Sequence, residues 1–85
     1  MGKTLLKFHA SWCQPCRDIA QDVTELCKMF NVTLKSIDVD NDEDGLVEKH
    51  DVDIVPAFVL LETETGKVLC KSVGANLTKL TSYLK

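Results

Sequence analysis

Two cysteines with the spacing C-x-x-C, Cys13 and Cys16, lie where a predicted strand runs into a predicted helix. The segment before them, residues 4–9, is short and apolar, as is typical of a strand. The segment after them, residues 17–30, has apolar residues three and four positions apart, which predicts a helix with one face packed on a sheet. A thiol pair at such a junction constrains both the local fold and its chemistry.

The start of a helix favours thiol–disulfide chemistry at these two residues. Unpaired backbone N–H groups and the helix dipole favour negative charge there, so they stabilise the thiolate form of Cys13. Cys16 follows one turn later, close enough to form a disulfide with Cys13. Pro15 suits the first turn because its missing N–H would have no helical partner there. The pattern therefore predicts a redox-active dithiol.

Length and composition narrow the class of protein. The chain has 85 residues, of which 45% are hydrophobic, and we expect one globular domain over residues 1–85. Its net charge is −3 and its ten basic residues are scattered, which argues against a nucleic-acid partner. No segment approaches the roughly 20 apolar residues of a membrane span, and Lys7 and His9 interrupt any secretory segment.

These features predict a cytoplasmic protein with no membrane association. Thiols stay reduced in the cytoplasm, so the four cysteines are not expected to form two structural disulfides. A working dithiol fits that compartment better.

The remainder of the chain alternates between helix and strand patterns. Residues 32–39 predict a second strand, parallel to the first because a helix connects the two. An acidic loop at residues 40–45 leads into a short helix that ends at His50. The apolar run 57–61 and the segment 67–73 predict a hairpin of two strands.

A last helix follows the glycine at position 74. Asn76 is expected to cap its N-terminus. The residues expected to face inward from it are Leu77, Leu80, Tyr83 and Leu84. The order of elements is therefore β-α-β-α-β-β-α, an α/β fold.

These motifs resemble those of the thioredoxin family. The matching pieces are Phe-His-Ala-Ser-Trp-Cys-Gln-Pro-Cys at residues 8–16, Ile-Asp-Val-Asp at 37–40, Ile-Val-Pro-Ala-Phe at 54–58 and Val-Gly-Ala at 73–75. The resemblance covers nearly the whole chain from Lys3 onward. It implies a thioredoxin-like fold, a minimal β-α-β-α-β-β-α core with a four-stranded mixed sheet flanked by helices, without the initial strand and helix of full-length thioredoxins.

The resemblance also implies an activity, a dithiol–disulfide oxidoreductase that reduces protein disulfides. Cys13 would be the nucleophile that attacks a substrate disulfide, and Cys16 would resolve the mixed disulfide. The peptide before Pro56 is expected to be cis, and the substrate is expected to add as a strand beside Val55. The groove that the resemblance implies is formed by Trp12, Ile54, Val55, Pro56, Gly74 and Ala75.

The same resemblance sets expectations for partners. Disulfide-containing proteins would be the substrates, and a thioredoxin reductase or the glutathione system would supply the electrons. No metal or cofactor is expected, and the protein is expected to be a monomer.

Three residues near the dithiol depart from the family pattern. Gln14 replaces the usual glycine between the cysteines, and His9 stands where a tryptophan is common. Lys7 stands where the family usually buries an aspartate that helps to move the proton of the buried cysteine. Together with Trp12 and Pro15, these residues are expected to tune the active site.

The roles of Lys7 and His9 have two interpretations each. The Lys7 ammonium either stabilises thiolates or exchanges a proton with them, or else its stem follows the strand and the charge reaches solvent. His9 either assists proton transfer or packs as an ordinary strand residue.

Other candidate sites have simpler explanations. Cys27 lies in the apolar stripe of the first helix and Cys70 lies in the hairpin, so both are expected to be structural rather than zinc ligands. The acidic run at 40–45 resembles a calcium-binding loop, but Asp51 stands where the final ligand would be a glutamate. The flanking helices of such a loop are also missing, because the preceding segment is strand-like and Pro56 leaves no room for a following helix. We expect this run to cap the second helix and His50 to be a surface residue.

Three alternative functions remain open from the sequence. A glutaredoxin-like reductase would use glutathione, and an oxidase would need a strongly stabilised reduced dithiol. A non-catalytic binding module would bind one partner in the groove and would need neither thiol.

Overall fold

Helices and strands follow one another in the predicted order β-α-β-α-β-β-α in a computed structural model that describes residues 2–85. Met1, the first residue of the expected domain, lies outside the described residues. The elements are β1 (Lys3–His9), α1 (Gln14–Met29), β2 (Thr33–Asp38), α2 (Leu46–Lys49), β3 (Ala57–Glu62), β4 (Val68–Val73) and α3 (Thr78–Leu84). None of the helices in this described part combines the length and apolar character of a membrane span.

The four strands form one mixed sheet in the order β2-β1-β3-β4, which confirms the predicted fold class. β1 and β2 are parallel, whereas β1 and β3, and β3 and β4, are antiparallel. Leu5 in β1 lies opposite Leu34 of β2 and Leu60 of β3. β1 is thus an inner strand with a partner on each side, and its C-terminal end leads directly to the dithiol.

Alternate residues of β1 face two separate apolar layers, because successive strand side chains point to opposite faces. Leu5 packs with the buried residues of α1 and with Leu80 of α3. Leu6 and Phe8 pack on the other face, where residues of α2 cover the sheet. β3 is buried on both faces as well, which explains why its sequence is a continuous apolar run rather than an alternating one.

The first helix begins at Gln14, which confirms the prediction that Cys13 lies at the helix N-terminus. Cys13 is its N-cap, with an extended backbone and a sulfur that accepts the N–H of Cys16. Pro15 lies in the first turn, as expected. The amphipathic pattern begins only after these residues, because Gln14 and Pro15 are exposed and add no apolar side chain to the buried face.

The acidic run caps the second helix, as predicted. The Asp42 carboxylate accepts the backbone N–H groups of Leu46 at 3.1 Å and Val47 at 2.8 Å. A short 3-10 turn, Val39–Asn41, stands where a loop was expected.

Two expectations near the C-terminal half need correction. Tyr83 is 47% exposed rather than inward, because Leu77, Leu80 and Leu84 already form the one stripe that so short a helix can bury. His50 is half-buried rather than on the surface, since its ring packs edge-on against Phe8 with centroids 6.3 Å apart. Burial, with Lys49 and Lys71 nearby, lowers the pKa of His50.

The cap expected at Asn76 lies one residue outside the helix boundary. Its Oδ1 accepts the Thr78 N–H at 2.9 Å, although Leu77 is the residue that immediately precedes α3.

Val59→Ala tests the importance of the doubly buried β3. We expect the free energy of unfolding to fall by about 1.5–3 kcal/mol, because the change removes two buried methyl groups and leaves a cavity. Val68→Ala, the same substitution at the exposed first residue of β4, is the matched control and should cost less than about 1 kcal/mol. Equal midpoints of urea unfolding for the two variants would contradict this account.

Candidate active site

A disulfide joins Cys13 and Cys16 at the start of α1, with their Cα atoms 5.3 Å apart. The Cys16 backbone N–H donates to the Cys13 sulfur at 3.2 Å. Cys13 is only 4% exposed and Cys16 5%, and both pack with Ala10. Negative charge that develops on the Cys13 sulfur during reduction therefore meets a backbone donor and the positive end of the helix dipole.

Segments distant in sequence close over the disulfide. Val39 and Val55 pack against the cluster formed by Ala10 and the two cysteines. The peptide between Val55 and Pro56 is cis, as the resemblance implied. The Pro56 carbonyl accepts the Gly74 N–H at 2.8 Å, which joins the end of β4 to the proline segment. Gly74 has a φ of 91°, a backbone conformation that favours glycine.

Trp12 is held in place although its side chain is 66% exposed. Its indole N–H donates to the Asp40 carboxylate at 2.8 Å. Asp40 is itself positioned because its backbone N–H donates to Asp38 at 2.9 Å. Sequence reasoning missed Asp40 as a site residue. The signal was its place two residues after the end of β2, since the C-terminal ends of parallel β1 and β2 lie side by side.

Gln14 takes part in a surface network on the first turn of α1. Its amide nitrogen donates to Asp18 at 2.7 Å, and its amide oxygen accepts Arg17 at 2.8 Å. Arg17 also donates to the Ser11 carbonyl. Arg17 therefore braces the chain that leads into Cys13, a second contribution that sequence reasoning missed.

An apolar groove of about 420 Å³ lies beside the dithiol. Three of the six predicted groove residues, Trp12, Ile54 and Val55, line it, and Ile54 is 61% exposed. Pro56 is buried, and neither it nor Gly74 nor Ala75 lines this groove. The other lining residues are Val39, Val47, Val52 and Asp53.

Lys7 and His9 lie half-buried on the sheet face that α1 covers. Lys7 is opposite Ser36 and Phe58 in the sheet, and Phe58 belongs to the core under α1. His9 is opposite Asp38. Within residues 2–85 neither side chain forms a hydrogen bond or ion pair with the dithiol.

Cys27 and Cys70 are free thiols in different environments. Cys27 is buried in the core beneath α1, and Cys70 is half-buried on β4. Burial raises the pKa of Cys27, and the positive charge of Lys7 opposes that rise in part. Among the described residues, no group of three or more His, Cys, Asp and Glu side chains is arranged to hold a metal ion.

The fold and the site define a class of protein: a small α/β domain with a redox-capable cysteine pair at a helix N-terminus, facing a cis-proline segment. The Thioredoxin family model matches residues 1–85. The chain belongs to the thioredoxin family, whose members are dithiol–disulfide oxidoreductases.

Individual relatives support this assignment. A thioredoxin H-type from Fagopyrum esculentum is 40% identical over 81 residues, which cover 93% of this chain and 67% of that protein. A thioredoxin H-type from Ricinus communis is 39% identical over 80 residues, covering 93% and 65%. Several other curated relatives are matched over a smaller share, down to 41% of their length. The chain thus spans about two thirds or less of these proteins.

Solved structures agree with the sequence matches. The thioredoxin of Fasciola hepatica superposes with a TM-score of 0.85 at 36% identity, covering 98% of this chain and 78% of that one. Oxidised mitochondrial thioredoxin 3 of Saccharomyces cerevisiae gives a TM-score of 0.84 at 31% identity, covering 96% and 76%. The proteins named in these matches favour the thioredoxin interpretation over the glutaredoxin-like one.

Alkylation should distinguish the two free thiols in the oxidised native protein. At pH 8 we expect iodoacetamide to modify Cys70 while Cys27 stays mostly unmodified. A raised pKa means fewer thiolates at a given pH, so the modification of Cys27 rises only at higher pH than that of an ordinary thiol.

The readout is peptide mass spectrometry on the single-thiol variants Cys27→Ser and Cys70→Ser. Both thiols should react equally in denaturant. Equal reaction in the native protein would show that Cys27 is not shielded.

Proposed function

We propose that this protein donates electrons to protein disulfides through Cys13 and Cys16. The observation that supports this most strongly is the cysteine pair itself, formed as a disulfide at the start of α1 and bordered by an apolar groove. Reduction by two electrons would convert the same pair into a dithiol, so the pair can act as a two-electron donor. Substrate binding and electron transfer then occur at neighbouring surfaces.

The reaction proceeds by two thiol–disulfide exchanges. The Cys13 thiolate attacks one sulfur of the substrate disulfide, the substrate S–S bond breaks, and one substrate thiolate leaves. The Cys16 thiolate then attacks the Cys13 sulfur, which releases the second substrate thiolate. The protein is oxidised by two electrons, the substrate is reduced by two, and the two protons of the dithiol pass to the substrate thiolates.

The segment before Pro56 is suited to hold an extended substrate. Residues 52–56 belong to no helix or strand, and within the described chain the Val55 N–H has no backbone partner. A substrate strand could therefore pair with Val55, a form of strand addition. Trp12 and Ile54 would cover its side chains, and Gly74 and Ala75 would border it across the proline.

We propose a reductase as the electron source. One solved neighbour, at 26% identity and a TM-score of 0.82, is a complex of ferredoxin:thioredoxin reductase and thioredoxin f2. Another concerns thiol resolution of a yeast mitochondrial 1-Cys peroxiredoxin through glutathione/thioredoxin systems. These describe those proteins, and they support a reductase and a thiol-dependent protein as the kinds of partner here.

We further propose a single-domain monomer that works in the cytoplasm. The free Cys27 and Cys70 support this compartment, since a reducing environment keeps such thiols unpaired.

Cys16→Ser is the direct test of the proposed activity. With a disulfide-bonded protein such as insulin, the variant should accumulate a mixed disulfide through Cys13, because the resolving thiol is missing. Non-reducing mass spectrometry would detect the adduct, and Cys13→Ser should form none. Cys70→Ser is the matched control and should turn over like the parent protein. A Cys16→Ser protein that forms no adduct would refute the proposed reduction of protein disulfides.

We also propose that Lys7 acts on the dithiol as a positioning charge. Lys7 lies half-buried on the sheet face that α1 covers. Its positive charge lowers the pKa of Cys27 on that helix and so favours the Cys27 thiolate. The thiolate form of the reduced pair would be favoured in the same way.

Lys7→Met should slow disulfide reduction at pH 7 by about two- to fivefold, because the loss of one half-buried positive charge destabilises the thiolate only modestly. The pH–rate profile should move to higher pH, which a purely structural role would not produce. Lys7→Arg should restore the profile, and Lys3→Met, at the exposed start of β1, should leave it unchanged. An unaltered profile for Lys7→Met would refute this role.

A further inference from the structure

The apolar groove adjoins the reactive sulfurs closely enough to select substrates. Val39 and Val55 contribute to the groove and also pack against the dithiol cluster. Trp12, on the groove wall, directly precedes Cys13. A substrate side chain in the groove therefore belongs to a residue close to the cysteine under attack.

One carboxylate interrupts the apolar lining of this groove. Asp53 lines it between Val52 and Ile54, and its side chain is exposed. Within residues 2–85 the Asp53 carboxylate has no hydrogen bond or ion pair, whereas Asp40, at the indole of Trp12, already accepts one donor. Asp53 is thus available to a substrate.

Within residues 2–85, neither Lys71 nor Arg17 forms an ion pair with Asp53. Lys71 donates to the backbone carbonyls of His50 at 2.7 Å and Asp51 at 3.2 Å. Arg17 is occupied by the Ser11 carbonyl and by Gln14. Both cations keep their charge in these hydrogen bonds, but neither lines the groove, and Asp53 is the one charged residue among the described residues that do. Its carboxylate attracts cations and repels anions over about 8 Å at physiological salt.

We propose that Asp53 is a specificity-determining residue that favours disulfides flanked by an apolar residue and a lysine or arginine. The apolar side chain enters the groove and the cation pairs with Asp53. This selectivity rests on the proposed disulfide-reductase function and adds a substrate class to it. Because the ion pair is exposed, it changes relative rates modestly and weakens with salt.

Three peptides that differ in one residue provide the test. Each contains one disulfide with a leucine next to one cysteine, and the residue beyond the leucine is lysine, glutamine or glutamate. The reduced protein should reduce the lysine peptide about two- to fivefold faster than the glutamate peptide at low salt, as second-order rate constants. Asp53→Asn should bring that ratio close to one, and Asp53→Lys should reverse it.

Glu64→Gln is the matched control, since it also removes one exposed carboxylate. Glu64 lies in the turn between β3 and β4, at the end of the sheet remote from the dithiol, and its variant should keep the parent preference. Loss of the preference in Glu64→Gln, or a parent protein that reduces all three peptides equally, would overturn the role of Asp53 and leave the proposed function intact. Failure to reduce even the glutamine peptide would overturn the proposed function, and this inference with it.

Discussion

The pairing of β1 on both of its edges is the constraint on which the rest of the structure depends. Its parallel partner β2 and antiparallel partner β3 hold it inside the sheet, and separate apolar layers cover its two faces. A strand held in this way ends at a defined place, so Cys13 is delivered to one position above the sheet. Small shifts of β1 would expose Leu5 or Phe8 as well as displace the dithiol.

The active site is assembled by that sheet rather than by one contiguous segment. The cysteines follow β1, Asp40 follows β2, the cis-proline segment precedes β3 and Gly74 follows β4. These parts are joined by short-range contacts, such as the hydrogen bond from the Trp12 indole to Asp40, the hydrogen bond from Gly74 to Pro56 and the packing of Val55 on the dithiol cluster. The chain can therefore carry out redox chemistry on a small core, because every strand contributes one part of the site.

Sequence reasoning succeeded where the signal was local or periodic. The apolar stripe of α1, the buried run in β3 and the Asp42 cap follow from spacing alone, and the structure shows each of them. It failed where neighbours outside the pattern decide the outcome. Tyr83 turned outward because other leucines filled the short stripe of α3, and His50 was drawn inward by Phe8 of a distant strand.

The sequence by itself determined the class of fold and the redox pair, because the apolar periodicity of each helix and strand, their order along the chain and the C-x-x-C spacing are properties of neighbouring residues. Only the tertiary structure decided which side chains surround that pair. It placed Asp40 on Trp12, put Asp53 at the groove with no ionic partner in residues 2–85, and put Lys7 beneath α1. Those placements depend on strand register and on which cations other groups already bind, and neither is encoded within a short stretch of chain.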